Sequence, residues 1–473
     1  MTPIQLKDIP MPSRNTIIPV HMFLKEKYRS DGSFDKLKAR LVANGNFQSP
    51  ESIEDTYSPT VNPISVMTLL NIAASEGYFL SSYDIKTAFL MTPIPDGKEI
   101  FVKLPRNISQ LWSQWHPSVS NFAQPDGSIY FKLHKYLYGL CEAPNRFNDM
   151  LNTHLIKHMG FARVAADDCL YFKRTPHGDI TAAVHVDDIL LSCPSRTQQK
   201  RFEKQLEELF EITKQYDQLS YLGLNITNKG GDLYVTQDKN IKDLSHRYEY
   251  DTLSNYPSTP TGKDFLVNDP DSPHVDKSKY LSVIMSLMYI GRFTRPDILF
   301  AVSVLATKCA NPTADDYAKA LRIVKYLAGT RAIGIRYTRN RTLTEELHVD
   351  ASHLLHESGH GHGGEVITLG GCLIYCRSFK LKTITRSSSE SEIVVLDDSV
   401  TYALWIRSLL AGLGRKPTRP TIIHQDNKST IIMATSGGTF KRTKHLVGKY
   451  SFIQENIANM ETSYFATAPA HQY

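Results

Sequence analysis

Asp187 and Asp188 stand between two apolar runs. Residues 181–193 read TAAVHVDDILLSC: an alternating run ends on the two acids, and Ile189, Leu190 and Leu191 begin the next. That pattern predicts a hairpin with two carboxylates at its tip. A third acid, Asp84, ends an apolar strand in GYFLSSYDIKTAFL (77–90), and Phe89 follows five residues later. Clustered carboxylates are the hard oxygen ligands that Mg²⁺ prefers. Two divalent cations about 4 Å apart can hold together the attacking and leaving oxygens of a phosphoryl transfer. Asp-Asp is also a good turn former in its own right, so the pair alone fits a structural turn as well as a reactive site.

Other elements must bring these acids together. Residues 20–48 predict a strand pair around Ser30-Asp31-Gly32-Ser33. Asn62-Pro63 opens a helix with a cap and a first-turn proline, and Gly77 ends it. Its expected apolar face is Met67, Leu70, Ala73 and Ala74. A helix near 144–159 carries Phe147, Leu151 and Leu155, with Gly160 as its stop. Another at 197–211 shows Phe202, Leu206 and Leu209, and a hairpin turns at Asn228-Lys229-Gly230-Gly231. Pro257-Ser258-Thr259-Pro260 and the polar stretch 262–278 read as a linker before a mostly helical segment, 279–328. Beyond residue 340, strand signals at Leu347–Asp350 and Val366–Tyr375 precede a long helix at about 390–412 and a strand at Thr421–His424.

A chain of 473 residues should hold two to four domains, and its 41% apolar content is enough for packed cores. No apolar stretch reaches the roughly 18 residues of a membrane span, and the first residues, MTPIQLKDIPMPSRN, lack the apolar core of a signal peptide. Six cysteines without a CxxC pair suggest a reducing compartment. The net charge of +6 is mild, but residues 1–50 hold eight Lys or Arg against four Asp or Glu. A second basic run is Lys441-Arg442-Thr443-Lys444-His445. Basic stretches beside reactive acids suit a polyanionic substrate; a solvated charged surface explains any one of them equally well.

The motifs occur in a telling order. KARLVANGNFQ (38–48), EDTYSPTV (54–61), YDIKTAFL (83–90), KLHKYLYGLCEAPNRF (132–147) and GFARVAADDCLYFKR (160–174) precede VHVDDILL (184–191). YLSVIMSLMYIGRFTRPDILFAVSVL (280–305) and LRIVKYLAGT (321–330) follow. LHVDAS (347–352), SSSESEIVVL (387–396), HQDNKSTI (424–431) and KRTKHLVGKY (441–450) complete the series. Together they resemble the reverse transcriptase and ribonuclease H portion of a Ty1/copia-type retrotransposon polyprotein, over nearly the whole chain.

The resemblance implies an α+β fold. Fingers and palm of a right-hand polymerase would occupy 1–195, thumb and connection elements 196–340, and a ribonuclease H-like mixed-sheet domain 341–473. It implies an RNA-directed DNA polymerase acting through Mg²⁺ (or Mn²⁺), with an RNA template, a DNA primer, an RNA–DNA hybrid and dNTPs as partners. Its expected setting is the cytoplasm, within virus-like particles, with access to the nucleus. Asp84, Asp187 and Asp188 match the polymerase metal acids. Phe89 matches the aromatic gate against a 2′-OH; its plain alternative is a core Phe on the strand after Asp84. Tyr138 and Gly139 match the segment along nucleotide and template. Lys38 and Arg40 match a basic finger strand able to hold a triphosphate, or else simply a charged edge strand. Asp350, Glu392 and Asp426 match a second metal site, with the two Asp residues ending strands and Glu392 on a helix.

The chain departs from the family pattern at several points. His185 stands where the family has Tyr or Phe, and Cys141-Glu142 where it has Lys-Gln. An anion in place of a cation should weaken nucleotide binding if those side chains point inward. Val447 stands where the family has Asp, and the sequence ends at PAHQY, before the family's Ala-Asp motif. A missing fourth acid implies weak or no ribonuclease H cleavage. These departures define the alternative reading, a decayed or co-opted retroelement product that binds nucleic acid without catalysis. His353, His356, His360 and His362 crowd a Gly-rich loop, but their spacing fits no known zinc finger.

Overall fold

The computed structural model describes residues 1–28, 34–339, 342–436, 445–459 and 462–466. The expected turn at Ser30–Ser33, most of the basic run 441–445 and the final PAHQY lie outside the described residues. Four sheets organise the rest. The finger sheet is built on a long antiparallel pair, Ile18–Tyr28 against Phe34–Ala43.

The palm sheet has six strands, in the order Ile212–Tyr216, Phe79–Ile85, Asp188–Cys193, Ile180–His185, Asp167–Lys173 and Ala162–Val164. Its central strands are buried on both faces. One face packs on the helices Ala143–Thr153 and Arg196–Glu207 through Phe147, Leu151, Phe202 and Leu206. The strand Ile212–Tyr216 pairs with the Asp84 strand, so the palm runs past the expected boundary at 195.

The other palm face packs on the helix Pro63–Glu76. Asn62 caps it by accepting the Ile64 N–H, and Gly77, at φ +67°, ends it in the left-handed conformation that favours glycine. Asp167, also buried, accepts from Asn62 N, Ser65 Oγ and Cys169 N, which fixes the helix entry on the sheet. Every residue from Ile64 to Ser75 is buried, so the expected single apolar face is replaced by burial all round. The reason is a second partner: Asn71 Nδ2 donates to Leu369 O, 2.8 Å away, in the last domain. A helix held between two sheets needs apolar residues on every side.

A four-stranded sheet, Gln218–Tyr221, Leu224–Lys229, Asp232–Thr236 and Ile335–Tyr337, is followed in space by a helical cluster centred on Lys277–Phe293, Leu299–Ala306 and Ala314–Gly329. The last sheet runs Cys372–Lys380, His362–Leu369, Glu345–Ser352, Thr421–Gln425 and Thr462–Ala466; the first three strands are antiparallel and the last two join in parallel. The long helix Ser388–Gly412 lies against it. The single strand expected at Val366–Tyr375 is two strands joined through Gly370 and Gly371, both at positive φ. The helix expected to reach residue 211 stops at Glu207, which leaves Leu209 exposed.

Candidate functional site

The palm acids sit where alternation placed them. His185 pairs with Asp188, so Val186 and Asp187 form a two-residue turn. Val186 has φ +58°, a strained value for a β-branched residue. Asp188 lies directly opposite Asp84 on the neighbouring antiparallel strand. Residues so paired have Cβ atoms about 5 Å apart on one face. The Asp187 carbonyl accepts from Ile85 N at 2.9 Å, which ties the turn to the end of the Asp84 strand.

The two turn acids have different surroundings. Burial raises the pKa of Asp187, the Asp84 charge adds to this, and Lys38 and Arg40 oppose it. Burial pushes Asp188 up to about 6, helped by the charges of Asp187 and Asp84. Asp188 in turn acts on the buried Tyr221 beneath the sheet, whose hydroxyl donates to Ala183 O. Asp187 thus shares the field of the finger cations, and Asp188 that of Tyr221, while both acids are half-buried. Three neighbouring hard-oxygen carboxylates, with the Asp84 charge raising both turn acids, are a donor set that divalent cations fit.

The finger and YGL residues close the other side. Tyr138 feels the charges of Asp187, Arg40 and Asp84, and burial raises its pKa most of all. The Arg40 guanidinium lies 5.7 Å from the centre of the Tyr138 ring. Phe89 is half-buried, with its ring 5.1 Å from Tyr138 and 6.1 Å from Phe147. It sits on the short helix Ala88–Met91, not on the strand expected after Asp84, because Thr87 turns the chain at φ +53°. Gly139 has φ +88°, and a Cβ there would lie 2.0 Å from Ala43 O. Ala43 N donates to Tyr138 O at 2.7 Å. Gly139 is therefore a point of close backbone approach that locks the Tyr138 segment onto the strand bearing Lys38 and Arg40.

The departures resolve differently. Glu142 is fully buried and paired; it accepts from Lys98 Nζ at 2.7 and 2.6 Å and from Glu54 N at 3.1 Å. The expected weakening of nucleotide binding required an inward-pointing anion; here the carboxylate is offset by Lys98 in a buried pair. Cys141 is held by its backbone, its N–H donating to Gln48 Oε1. Removing one partner of a buried pair leaves an uncompensated charge, so Glu142→Ala should cost about 3–5 kcal/mol of stability; denaturant melts would measure this. His185 is half-buried, and its Nδ1 has no hydrogen-bond partner among the described residues. It lines a cavity of about 590 Å³ with Met67, Leu222, Tyr289, Phe293 and Tyr402.

A second acid cluster lies in the last sheet. The ligand atoms of Asp350, Glu392 and Asp426 all lie within 4.8 Å of one another. Asp426 follows the strand Thr421–Gln425, but Asp350 lies within the strand Glu345–Ser352 rather than at its end. Glu392 is buried near the start of the long helix, which Ser387 caps by accepting the Glu390 N–H. It accepts from Ala351 N and Gln425 Nε2, both at 3.2 Å. Burial pushes Glu392 up to about 7; the Gln425 hydrogen bond pulls it down, and the Asp350 charge raises it further. Asp350 is raised by burial and by Asp426. The palm acids form no such tight group among the described residues. Val447 begins the helix Val447–Ala458. Within the His-rich loop, His356 and His362 hydrogen-bond to each other at 3.0 Å.

Comparison with known proteins places this geometry. A sequence profile of the reverse transcriptase (RNA-dependent DNA polymerase) family matches residues 6–261. The chain is 30% identical over 454 residues to the retrovirus-related Pol polyprotein from transposon RE1 of Arabidopsis thaliana, covering 95% of this chain and 30% of that protein. It is 31% identical over 321 residues to the transposon Ty5-1 protein of Saccharomyces cerevisiae, covering 67% of this chain and 99% of that protein. The chain thus spans about 30% of the length of the plant Pol polyproteins it matches. Its fold is similar to that of a foamy viral protease-reverse transcriptase solved with double-stranded DNA, with a TM-score of 0.53 and 12% identity over 96% of this chain and 68% of that one. A second foamy viral structure, in complex with an RNA/DNA hybrid, matches equally well, at 14% identity over 96% of this chain and 51% of that one. The chain belongs to the reverse transcriptase family of Ty1/copia-type retrotransposon Pol polyproteins.

Proposed function

We propose that the chain carries out RNA-directed DNA synthesis at the palm acids, and that the second cluster is the divalent-cation site of a ribonuclease H-like domain with weak or no cleavage of an RNA–DNA hybrid. The observation that carries the reading is the register of Asp84 against Asp188, with Asp187 at the adjoining turn facing Lys38, Arg40 and Tyr138. The reaction is in-line attack of a primer 3′-OH on the α-phosphorus of a dNTP, with pyrophosphate leaving. Asp84 and Asp187 would hold divalent cations, Mg²⁺ or Mn²⁺. When bound, such cations offset charge on the attacking and leaving oxygens. Arg40 and Lys38 approach the same space from the fingers, where a guanidinium can grip phosphate with two hydrogen bonds. Asp350, Glu392 and Asp426 would hold divalent cations at the second site. The foamy viral relatives were solved with DNA and with an RNA/DNA hybrid, which supports nucleic acid as the partner here.

Extension of a DNA primer on an RNA template, with dNTPs and Mg²⁺, tests the reading. Extended product is expected. A chain that binds the primer–template and never extends it would have only the binding role. Cleavage of an RNA–DNA hybrid tests the second site separately.

Phe89 adds a prediction about the sugar. Its ring, 5.1 Å from Tyr138, would stand as a wall against a 2′-OH. Phe89→Ala should raise ribonucleotide incorporation and change dNTP use less, since removing a clash adds no attraction. An equal loss for both substrates would mark Phe89 as a packing residue, whose removal costs about 3–5 kcal/mol of stability. Competition between dNTP and rNTP at single incorporation separates the two.

A further inference from the structure

Glu346, His348 and His424 form a cluster that the reading above does not use. The strands Glu345–Ser352 and Thr421–Gln425 run parallel, with His348 in register with His424. Glu346 and His348 share a strand face, because side chains two apart point the same way. The imidazole rings stack with centroids 4.1 Å apart and planes within 5°. His424 Nε2 lies 2.9 Å from Glu346 Oε2. One ligand atom from each of the three residues falls within 4.8 Å of the others, and all three side chains are half-buried, with access from solvent.

From this geometry we propose a Zn²⁺-class metal site at Glu346, His348 and His424, distinct from the acid cluster. Zinc binds imidazole and carboxylate at about 2.0–2.2 Å in a tetrahedron, so its donor atoms stand about 3.3 Å apart. The observed 2.9 Å contact is already near that spacing, while the rings, stacked face to face, must turn so that the metal lies in the plane of each. Rotation of the two imidazoles about their side-chain torsions would bring the third donor in, from ligand atoms already within 4.8 Å of one another. Two imidazoles and one carboxylate leave a fourth position for water. Imidazole donors suit zinc, cobalt and nickel, while magnesium prefers all-oxygen sets. The acid cluster, built from Asp350, Glu392 and Asp426, is of the latter kind.

The two clusters share strands but no ligand. His348 precedes Asp350 by two residues and His424 precedes Asp426 by two, a step of about 7 Å along a strand. A metal at the histidines would clamp the parallel pair from which both aspartates project. Its expected effect is to stabilise that pair and the spacing of the acids.

The test uses the full chain, stripped with a chelator and then titrated with Co²⁺ and with Zn²⁺ against a chromophoric chelator. One tight equivalent is expected, with the absorption bands of tetrahedral Co²⁺, and excess Mg²⁺ should not displace it. It should persist in the Asp350→Asn/Asp426→Asn double variant. Glu346→Gln and His424→Ala should each weaken it at least about 100-fold, the upper end of what loss of an outer hydrogen-bond partner alone costs. Zn²⁺ should raise the melting temperature of the wild type and not that of Glu346→Gln, which keeps side-chain volume if the His variant fails to fold. Absence of tight binding in the wild type overturns the proposal. So does binding lost in the double Asp variant but kept in Glu346→Gln, which would assign the metal to the acid cluster. Binding that survives both Glu346→Gln and His424→Ala would belong to other donors, such as the histidines at 353–362, and also overturns it.

Discussion

Asp187→Asn is expected to lower the rate of primer extension about 1000-fold or more, and Asp188→Asn to lower it much less. The difference follows from the charges around each acid. Asp187 shares its field with Lys38, Arg40 and Tyr138, while Asp188 acts on Tyr221 under the sheet. A ligand to the cations contributes several kcal/mol of charge stabilisation in the transition state, and each 1.36 kcal/mol is tenfold in rate. Single-turnover incorporation, with primer–template affinity measured in parallel, separates chemistry from binding. The reverse order of effects would place Asp188, not Asp187, at the reacting phosphate.

Without divalent cations, the chain should lose stability as pH rises from about 4.5 to about 7, because of Glu392. Burial first, then the Asp350 charge, raise its carboxyl to about 7 in the folded state, against an ordinary value of 4.5. A raised acid pKa means that the folded chain holds a proton the unfolded chain has already released. The stability gained is therefore complete below about 4.5 and gone above about 7. At 1.36 kcal/mol per unit, the change is roughly 3 kcal/mol. Glu392→Gln should make the fall shallower, most of all above about pH 6 where the raised Asp188 carboxyl has already ionised, while losing about 1 kcal/mol throughout because its amide meets the Gln425 amide. Denaturant melts in a chelator, from pH 4.5 to 8, measure both curves. An unchanged slope in Glu392→Gln would show that another group carries the pH dependence.

Local patterns marked much of this architecture in advance. The Asp187-Asp188 hairpin followed from alternation alone, because both its strands are short and adjacent in the chain. Asn62, Pro63 and Gly77 bounded their helix because caps act within one turn. Asp350, Glu392 and Asp426 came from resemblance, since three acids on three elements have no local signal; the structure gathers them. Long-range partners were out of reach. The all-round burial of the Pro63–Glu76 helix depends on Leu369, far along the chain. The harmless position of Glu142 depends on Lys98. The Gly370-Gly371 turn had its signal in two adjacent glycines, and a continuous apolar run masked it. Phe89 was placed on a strand because nothing in the sequence betrays the left-handed Thr87 before it.

Single-nucleotide incorporation on an RNA template, by the wild type and by Asp84→Asn, tests the central claim most directly. Asp84 faces Asp188 in register and acts on Asp187, so its amide should leave primer–template binding intact and remove chemistry. The expected result is dNTP incorporation by the wild type with Mg²⁺ and none by Asp84→Asn at equal primer–template occupancy. Equal incorporation by the two, or a wild type that binds the primer–template and adds no nucleotide, would contradict the account.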